Sequence, residues 1–288
     1  MEYIVSSEEH GYSLLAFLEK KSQGAFSLKK IKKMIDEKKC KVSGRVEFFS
    51  SRKLAEGDRV EIEFSKENGV SRPSLKREVL FEDPDFIVIN KPAGVICVEE
   101  EFLHLGAKLV HRLDKDTSGL LLLAKNLRAE TMAKKLFLER TIEKKYLALV
   151  DGKVPGKRGI IDNYLGKVGG YEGQTVYGSV SSQEGKRAIT EWTVLETNKA
   201  SSLILCDLKT GRTHQIRVHL SSLGHPILGD HQYAKKGFAC LYNPSRHLLH
   251  AWKLLFIHPK TKKEISLVAP IPADFKKALK ELNFAALS

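Results

Sequence analysis

VHRLDKDTSGLLLLAKN, residues 110–126, decides how the rest of the chain is read. After an apolar entry at Val110 come a compact charged stretch, a Thr117-Ser118-Gly119 turn and an apolar run from Leu120 to Ala124. Gly119 is expected to permit a tight bend, and the run after it suits a strand buried on both faces. Asp114 then lies on a loop held between core segments, a usual mounting for reactive groups. Spacing alone leaves a plainer option open. Asp114 and Asp116 could be solvated or cap a turn, paired locally with Arg112 or Lys115.

Outward from this stretch, VLFEDPDFIVINKPAGV (79–95) gives two apolar runs divided by the turn-former Asp83-Pro84-Asp85. The run FIVIN reads as a buried strand ending at Lys91-Pro92. Downstream, TIEKKYLALV (141–150) alternates Ile142, Lys144, Tyr146, Ala148 and Val150 on one strand face, which makes Tyr146 a candidate core aromatic. THQIRVHLSSLG (213–224) reads as a helix capped by Thr213 and stopped by Gly224, with Ile216, Leu220 and Leu223 buried. His214 and Arg217 share another face, where they could enter a cleft together or form an exposed basic surface that meets phosphate or nothing.

Residues up to about 64 read as a compact α–β unit. Ser13 and Ser27 are candidate helix caps, and Ile31, Met34 and Ile35 line the buried stripe of the second helix. Lys29, Lys30, Lys32 and Lys33 fall outside that stripe. Two short strands should flank Ser43-Gly44, and a turn at Gly57-Asp58 should enter a strand with Val60, Ile62 and Phe64 on one face. Residues 66–78 are polar, carry Gly69 and Pro73, and read as a linker.

The 288-residue chain fits one large or two modest domains, and its 42% hydrophobic content argues against wholesale disorder. A formal net charge of +13 makes a polyanionic partner plausible, because each neutralised phosphate releases a counterion. No apolar run approaches the roughly 20 residues that cross a bilayer, and MEYIVSSEEHGYS lacks the order of a secretion signal. A cytoplasmic protein is expected, without a membrane partner. Cys40, Cys97, Cys206 and Cys240 form no CxxC pair, and the histidines lack zinc spacing, so no metal is expected.

HRLDKDTSGLLLLAK resembles the signature of RluA-type RNA pseudouridine synthases, with the catalytic aspartate at Asp114. The likeness runs in order through INKPAGV, KKYLALVDG, GKRAITEWTVLE, LKTGRTHQIRVHLSSLGHPILGDHQY and LLHAWKLLFIHP, most of residues 80–270. Between KPAGV and VHRLD only ICVEEEFLHLGAKL remains, a shorter segment than is usual in the family. SLKKIKKMIDEKKCKVSG and GDRVEI resemble the αL RNA-binding motif, although the arginine often found at its first helix is replaced here by Gly11-Tyr12-Ser13.

The resemblance implies an α+β protein: an αL RNA-binding domain (1–66), a linker (67–79) and a catalytic domain (80–288) around a long mixed, mainly antiparallel sheet. It implies Tyr146 packing on a flipped uracil, Arg217 pairing with Asp114, and Arg112 helping to displace the nucleotide. Arg212 is the rival for the pairing role, and His111 is a loop organiser beside the RNA. Lys29, Lys30, Lys32, Lys33, Arg212 and His214 are candidate RNA contacts. Gly229 and Asp230 are a structural turn. The reaction, isomerisation of a uridine in RNA, requires no cofactor. Large-subunit ribosomal RNA is favoured over transfer RNA, and a monomer is expected. A silent RNA-binding or assembly protein and a glycoside hydrolase or base-excising enzyme stay open; the latter would need a second carboxylate.

Overall fold

The structure, a computed structural model, describes residues 2–22, 28–37, 39–62, 78–171, 174–234 and 242–285. Ser27, Phe64, nearly all of the expected linker, and the side chains of Lys29, Lys30 and Lys33 lie outside the described residues. The chain divides into two compact units, Met1–Ser74 and Leu75–Ser288.

The first unit contains β1 (Glu2–Ile4), α1 (Leu14–Ser22), α2 (Leu28–Asp36), β2 (Cys40–Val42), β3 (Arg45–Glu47) and β4 (Arg59–Ile62). The strands form an antiparallel sheet in the order β1-β4-β2-β3. Ser13 caps α1 as its sequence suggests, Oγ accepting the Ala16 N–H at 3.3 Å. Ser43 (φ 50°) and Gly44 (φ 80°) make the tight left-handed turn between β2 and β3. Leu14, Phe17, Leu18, Ile31, Met34, Ile35, Val60 and Ile62 share one core, while Lys32 is exposed.

The second unit begins with β5 (Glu78–Glu82), β6 (Phe86–Lys91), β7 (Lys108–Leu109) and β8 (Ser118–Ala124). Helix α3 (Leu127–Leu138) leads to β9 (Glu143–Asp151), β10 (Arg158–Tyr171), β11 (Gln174–Val180), β12 (Lys186–Thr197) and β13 (Ser201–Leu208). Then follow α4 (Gln215–Ser222), β14 (Leu249–Ile257), β15 (Glu264–Val268) and α5 (Ala273–Glu281). The sheet runs β11-β10-β12-β13-β9-β14-β8-β6-β5, with β15 beside β14 and β7 beside β8. Its ladders are antiparallel except where β8 meets β14 in parallel. This is the α+β architecture that the motifs imply.

Every residue of β8 is buried, which explains its unbroken leucines. Leu121 and Leu123 join the core with Leu147, Leu149 and Ile204, whereas Leu120 and Leu122 face Ala129 and Ala133 of α3. Each buried leucine contributes about 1.5–3 kcal/mol, so β8 is tightly fixed between two cores. The loop that precedes it starts from a rigid edge.

Three expectations are corrected. Gly119 makes no bend: it lies inside β8 at φ +111°, where an added Cβ would stand 2.2 Å from the Ala251 carbonyl oxygen. The glycine lets β14 approach in parallel. At α4, Thr213 is not the cap. His214 takes that position in the left-handed region (φ 56°), and Leu223 is exposed while Gln215 through Leu220 are all buried. A helix so enclosed cannot be read from a single apolar stripe. Gly224 (φ +84°) stops it as expected.

Replacing Gly119 by alanine combines a collision with backbone and an unfavourable φ. Gly119→Ala should destabilise the larger unit by about 3 kcal/mol or more in urea unfolding. A change within about 0.5 kcal/mol would contradict the close crossing of β8 and β14.

Candidate active site

The loop between β7 and β8 is anchored on both sides of Asp114. Before it, His111 Nε2 accepts the Leu122 N–H at 2.9 Å, and its ring lies tilted against Phe137 at 4.7 Å. Burial, reinforced by Lys144, pushes His111 down to about 3, so its ring is neutral. It ties the loop to β8. The Leu113 N–H reaches Cys97 Sγ at 3.4 Å.

After Asp114, the fully buried Lys91 donates to the carbonyls of Lys115 (3.0 Å), Val95 (3.0 Å) and Pro92 (2.9 Å). Arg246 Nη1 donates to the Asp116 carbonyl at 2.9 Å, and Asp274 of α5 grips the same guanidinium at 2.6 and 2.9 Å. His247 Nε2 meets Thr117 Oγ1 at 3.0 Å, and His250 Nδ1 meets Ser118 Oγ at 2.9 Å. The loop backbone is thereby held while the Asp114 side chain keeps 23% exposure.

Opposite stands α4. Arg217 Nη1 lies 3.5 Å from Asp114 Oδ2. Its stronger partner is Asp230, which accepts from Nε at 2.7 Å and Nη2 at 2.9 Å; Gln232 Oε1 also accepts from Nη2 at 2.9 Å. Burial opposes charge on both Arg217 and Asp230. Their mutual hydrogen bonds outweigh it, raising the arginine and holding the Asp230 carboxyl below its ordinary range. Asp230 is therefore more than a turn residue. By occupying one edge of the planar guanidinium it aims the other at Asp114.

His214 Nε2 lies 3.9 Å from Asp114 Oδ1, and Nδ1 lies 2.7 Å from the Tyr233 hydroxyl. Tyr146, on β9, is 8% exposed. Burial and then the Asp114 charge push its phenol upward, so it stays protonated. Asp114, Tyr146, His214 and Arg217 line a cleft of about 930 Å³ that also includes Arg112 and Arg212. Arg112 is exposed on its wall. Arg212 Nε donates to the Arg187 carbonyl at 3.0 Å, which leaves Arg217 as the arginine beside Asp114.

Sequence reasoning brought Asp114, Tyr146, His214 and Arg217 into one cleft but missed Lys91, Arg246, Asp274 and the clamp by Asp230. The Gly229-Asp230 pair was visible beside the helix. Arg246 and Asp274 meet only in three dimensions.

A family model for RNA pseudouridylate synthase matches residues 85–222, which span the loop, β9 and α4. An uncharacterised RNA pseudouridine synthase of Mycoplasma genitalium is 32% identical, over 98% of this chain and 96% of its own length. The chain belongs to the RluA-type RNA pseudouridine synthases. It is 38% identical to ribosomal large subunit pseudouridine synthase D of Zymomonas mobilis, over 71% of this chain and 72% of that one. The solved structure of human RNA pseudouridylate synthase domain containing 4 matches with a TM-score of 0.61 and 27% identity, covering 75% of this chain and 97% of the human one. The chain is thus an isomerase acting on uridine in RNA.

Removing the partner of a buried guanidinium costs about 3–5 kcal/mol. Asp230→Ala should destabilise the enzyme by about 3 kcal/mol, whereas Asp230→Asn should lose less stability yet slow pseudouridine formation at least tenfold. Wild-type rates from the asparagine variant would remove the aiming role.

Buried His219, His247 and His250 are pushed down by desolvation to about 4, 3 and 4. The unfolded chain binds these protons near pH 6.5 and the native state does not. Their contribution is complete above that pH and is lost as pH falls toward 4. Unfolding free energy should drop by up to roughly 1.4 kcal/mol per pH unit for each histidine, and proton uptake on unfolding at pH 5 would measure it.

Proposed function

We propose that this enzyme converts specific uridines of large-subunit ribosomal RNA to pseudouridine, with Asp114 as the nucleophile. The observation that carries this reading is the Asp114 carboxylate, on an anchored loop, 3.5 Å from a guanidinium that is itself fixed by Asp230. Relatives named ribosomal large subunit pseudouridine synthase, from Zymomonas mobilis and Nitrosomonas europaea, support the choice of RNA.

In this reading the target uridine leaves its stack at a cost of a few kcal/mol, offset by phosphate contacts. Tyr146 packs against the base, its protonated hydroxyl retaining a polar contact. Arg112, exposed at the cleft wall, takes the place of the everted nucleotide. The C1′–N1 bond breaks, the uracil turns, and C5 bonds to C1′; one proton leaves C5 and one joins N1. No net redox change or group transfer occurs. Asp114 either adds to the substrate or takes a sugar proton toward a glycal, and both routes require it ionised beside Arg217.

The first unit serves as the αL RNA-binding domain, with Lys29, Lys30, Lys32 and Lys33 following the phosphate backbone. His214, Arg212 and the His111 loop line the path to the site. The enzyme works as a monomer. Among the described residues no helix is long and apolar enough to cross a membrane.

Mapping pseudouridine in RNA from cells with and without the gene tests the substrate: sites missing from the large-subunit RNA support the proposal, and sites missing only from transfer RNA overturn it. Restoring the gene as Asp114→Asn should return none of them. RNA affinity should fall with salt, and four phosphate contacts to single-stranded RNA give a slope of roughly −3 in log–log form. Changing the four lysines to glutamine should flatten that slope; an unchanged slope would remove the helix from the RNA contact.

A further inference from the structure

The cleft holds one side chain whose geometry the scheme above leaves unused. His214 occupies the left-handed region at φ 56° and ψ 18°, an uncommon backbone state for a residue with a side chain, and such strain gathers at functional positions. Its ring is fixed on the far side. The Tyr233 hydroxyl oxygen already accepts the Tyr177 N–H at 3.1 Å, and His214 Nδ1 stands 2.7 Å from it. A phenol has one hydrogen to give, and among the described residues Nδ1 is the partner placed to accept it. Turning the ring's own N–H toward that oxygen would leave the hydroxyl hydrogen without a partner in a half-buried place.

The neutral ring therefore carries its hydrogen on Nε2. The Arg217 guanidinium lies 4.8 Å over the Tyr233 ring, which makes the phenol a better donor and strengthens this choice. Burial, and Arg217 after it, outweigh the pull of Asp114 and Asp230 and push the imidazole down, so it is uncharged at neutral pH. Nε2 lies 3.9 Å from Asp114 Oδ1, beyond a hydrogen bond and on the wall of the cleft.

We propose that His214 is a catalytic donor: a neutral imidazole, locked as the Nε2–H form by Tyr233, that hydrogen-bonds the uracil oxygen nearest the breaking bond and stabilises the departing base. This rests on the isomerase reading of the same cleft. When C1′–N1 breaks, both electrons of the bond go to the uracil and spread over N1 and its carbonyl oxygens. On the sugar side the electron pair comes from Asp114 where it adds to the sugar, or from the C2′–H bond where Asp114 takes that proton. His214 keeps its proton throughout, because a donor aimed where charge develops acts by electrostatics. A general base would need a bare Nε2, which the Tyr233 contact opposes. Tyr233 is a positioning residue, acting through His214.

The test uses the full-length protein with ¹⁵N-labelled histidine rings, assigned against His214→Gln. At neutral pH the His214 signals should show a protonated Nε2 and a bare Nδ1, and Tyr233→Phe should erode that preference. Single-turnover conversion is followed with RNA extracted from cells lacking the gene. His214→Ala should slow it about 100-fold, while the glutamine variant, which retains an N–H but no basic nitrogen, should recover at least tenfold of that loss. Tyr233→Phe, away from the strained position, should slow it about tenfold with RNA affinity unchanged. A wild-type ring protonated on Nδ1, a glutamine variant as slow as alanine, or an alanine variant at wild-type rate overturns the proposal. If the wild type converts no uridine in that RNA, the isomerase reading fails with it, and the ring signals still decide the tautomer.

Discussion

A guanidinium shared unequally between two carboxylates organises the larger unit. Arg217 gives its Nε and Nη2 to the buried Asp230 and leaves Nη1 for the partly exposed Asp114. The inequality sets the geometry. A bidentate, well-buried pair fixes the plane of the guanidinium, and only a fixed plane can present a charge to a second carboxylate without collapsing onto it. Replacing Asp230 with an apolar group would remove both of these bonds and leave Gln232 as the remaining anchor of the guanidinium beside Asp114. Buried ion pairs contribute little net stability after desolvation. Here the pair gives orientation.

The Asp114 side of the cleft depends on a different constraint, the parallel approach of β14 to β8. That approach brings residues 246–250 alongside Asp116, Thr117 and Ser118, so Arg246, His247 and His250 all contact the loop end. Without a glycine at 119 the backbones could not come so near. Asp274 extends the constraint to α5, holding the Arg246 guanidinium that supports Asp116. The C-terminal helix thereby contributes to placing a carboxylate far from it in sequence.

What the sequence made legible follows this division. Patterns that depend on neighbours along the chain read correctly: the buried strands β6 and β8, the Ser13 cap, the Ser43-Gly44 turn and the apolar stripes of α1 and α2. The glycine of β8 was misread because a positive φ serves a bend and a close crossing equally well, and only the distant Ala251 distinguishes them. The cap of α4 was misread because threonine is the better cap by chemistry, whereas tertiary contacts with Tyr233 and the cleft place His214 there in a strained state. Leu223 fits a helical stripe, yet α4 is enclosed over Gln215–Leu220 and its last turn reaches solvent. Asp114, Tyr146 and Arg217 came from motif resemblance, since periodicity alone left each a bland alternative.

The polar groups around Asp114 also explain why the cleft tolerates so much burial of charge. Tyr146 and His214 both touch the same site, and burial drives both toward their neutral forms, the phenol upward and the imidazole downward. Two neutral hydrogen-bonding groups thus flank the Asp114 carboxylate, while Arg217 divides its single positive charge between that carboxylate and Asp230. Arg112, exposed, and Arg212, half-buried, line the same cleft as these two neutral groups.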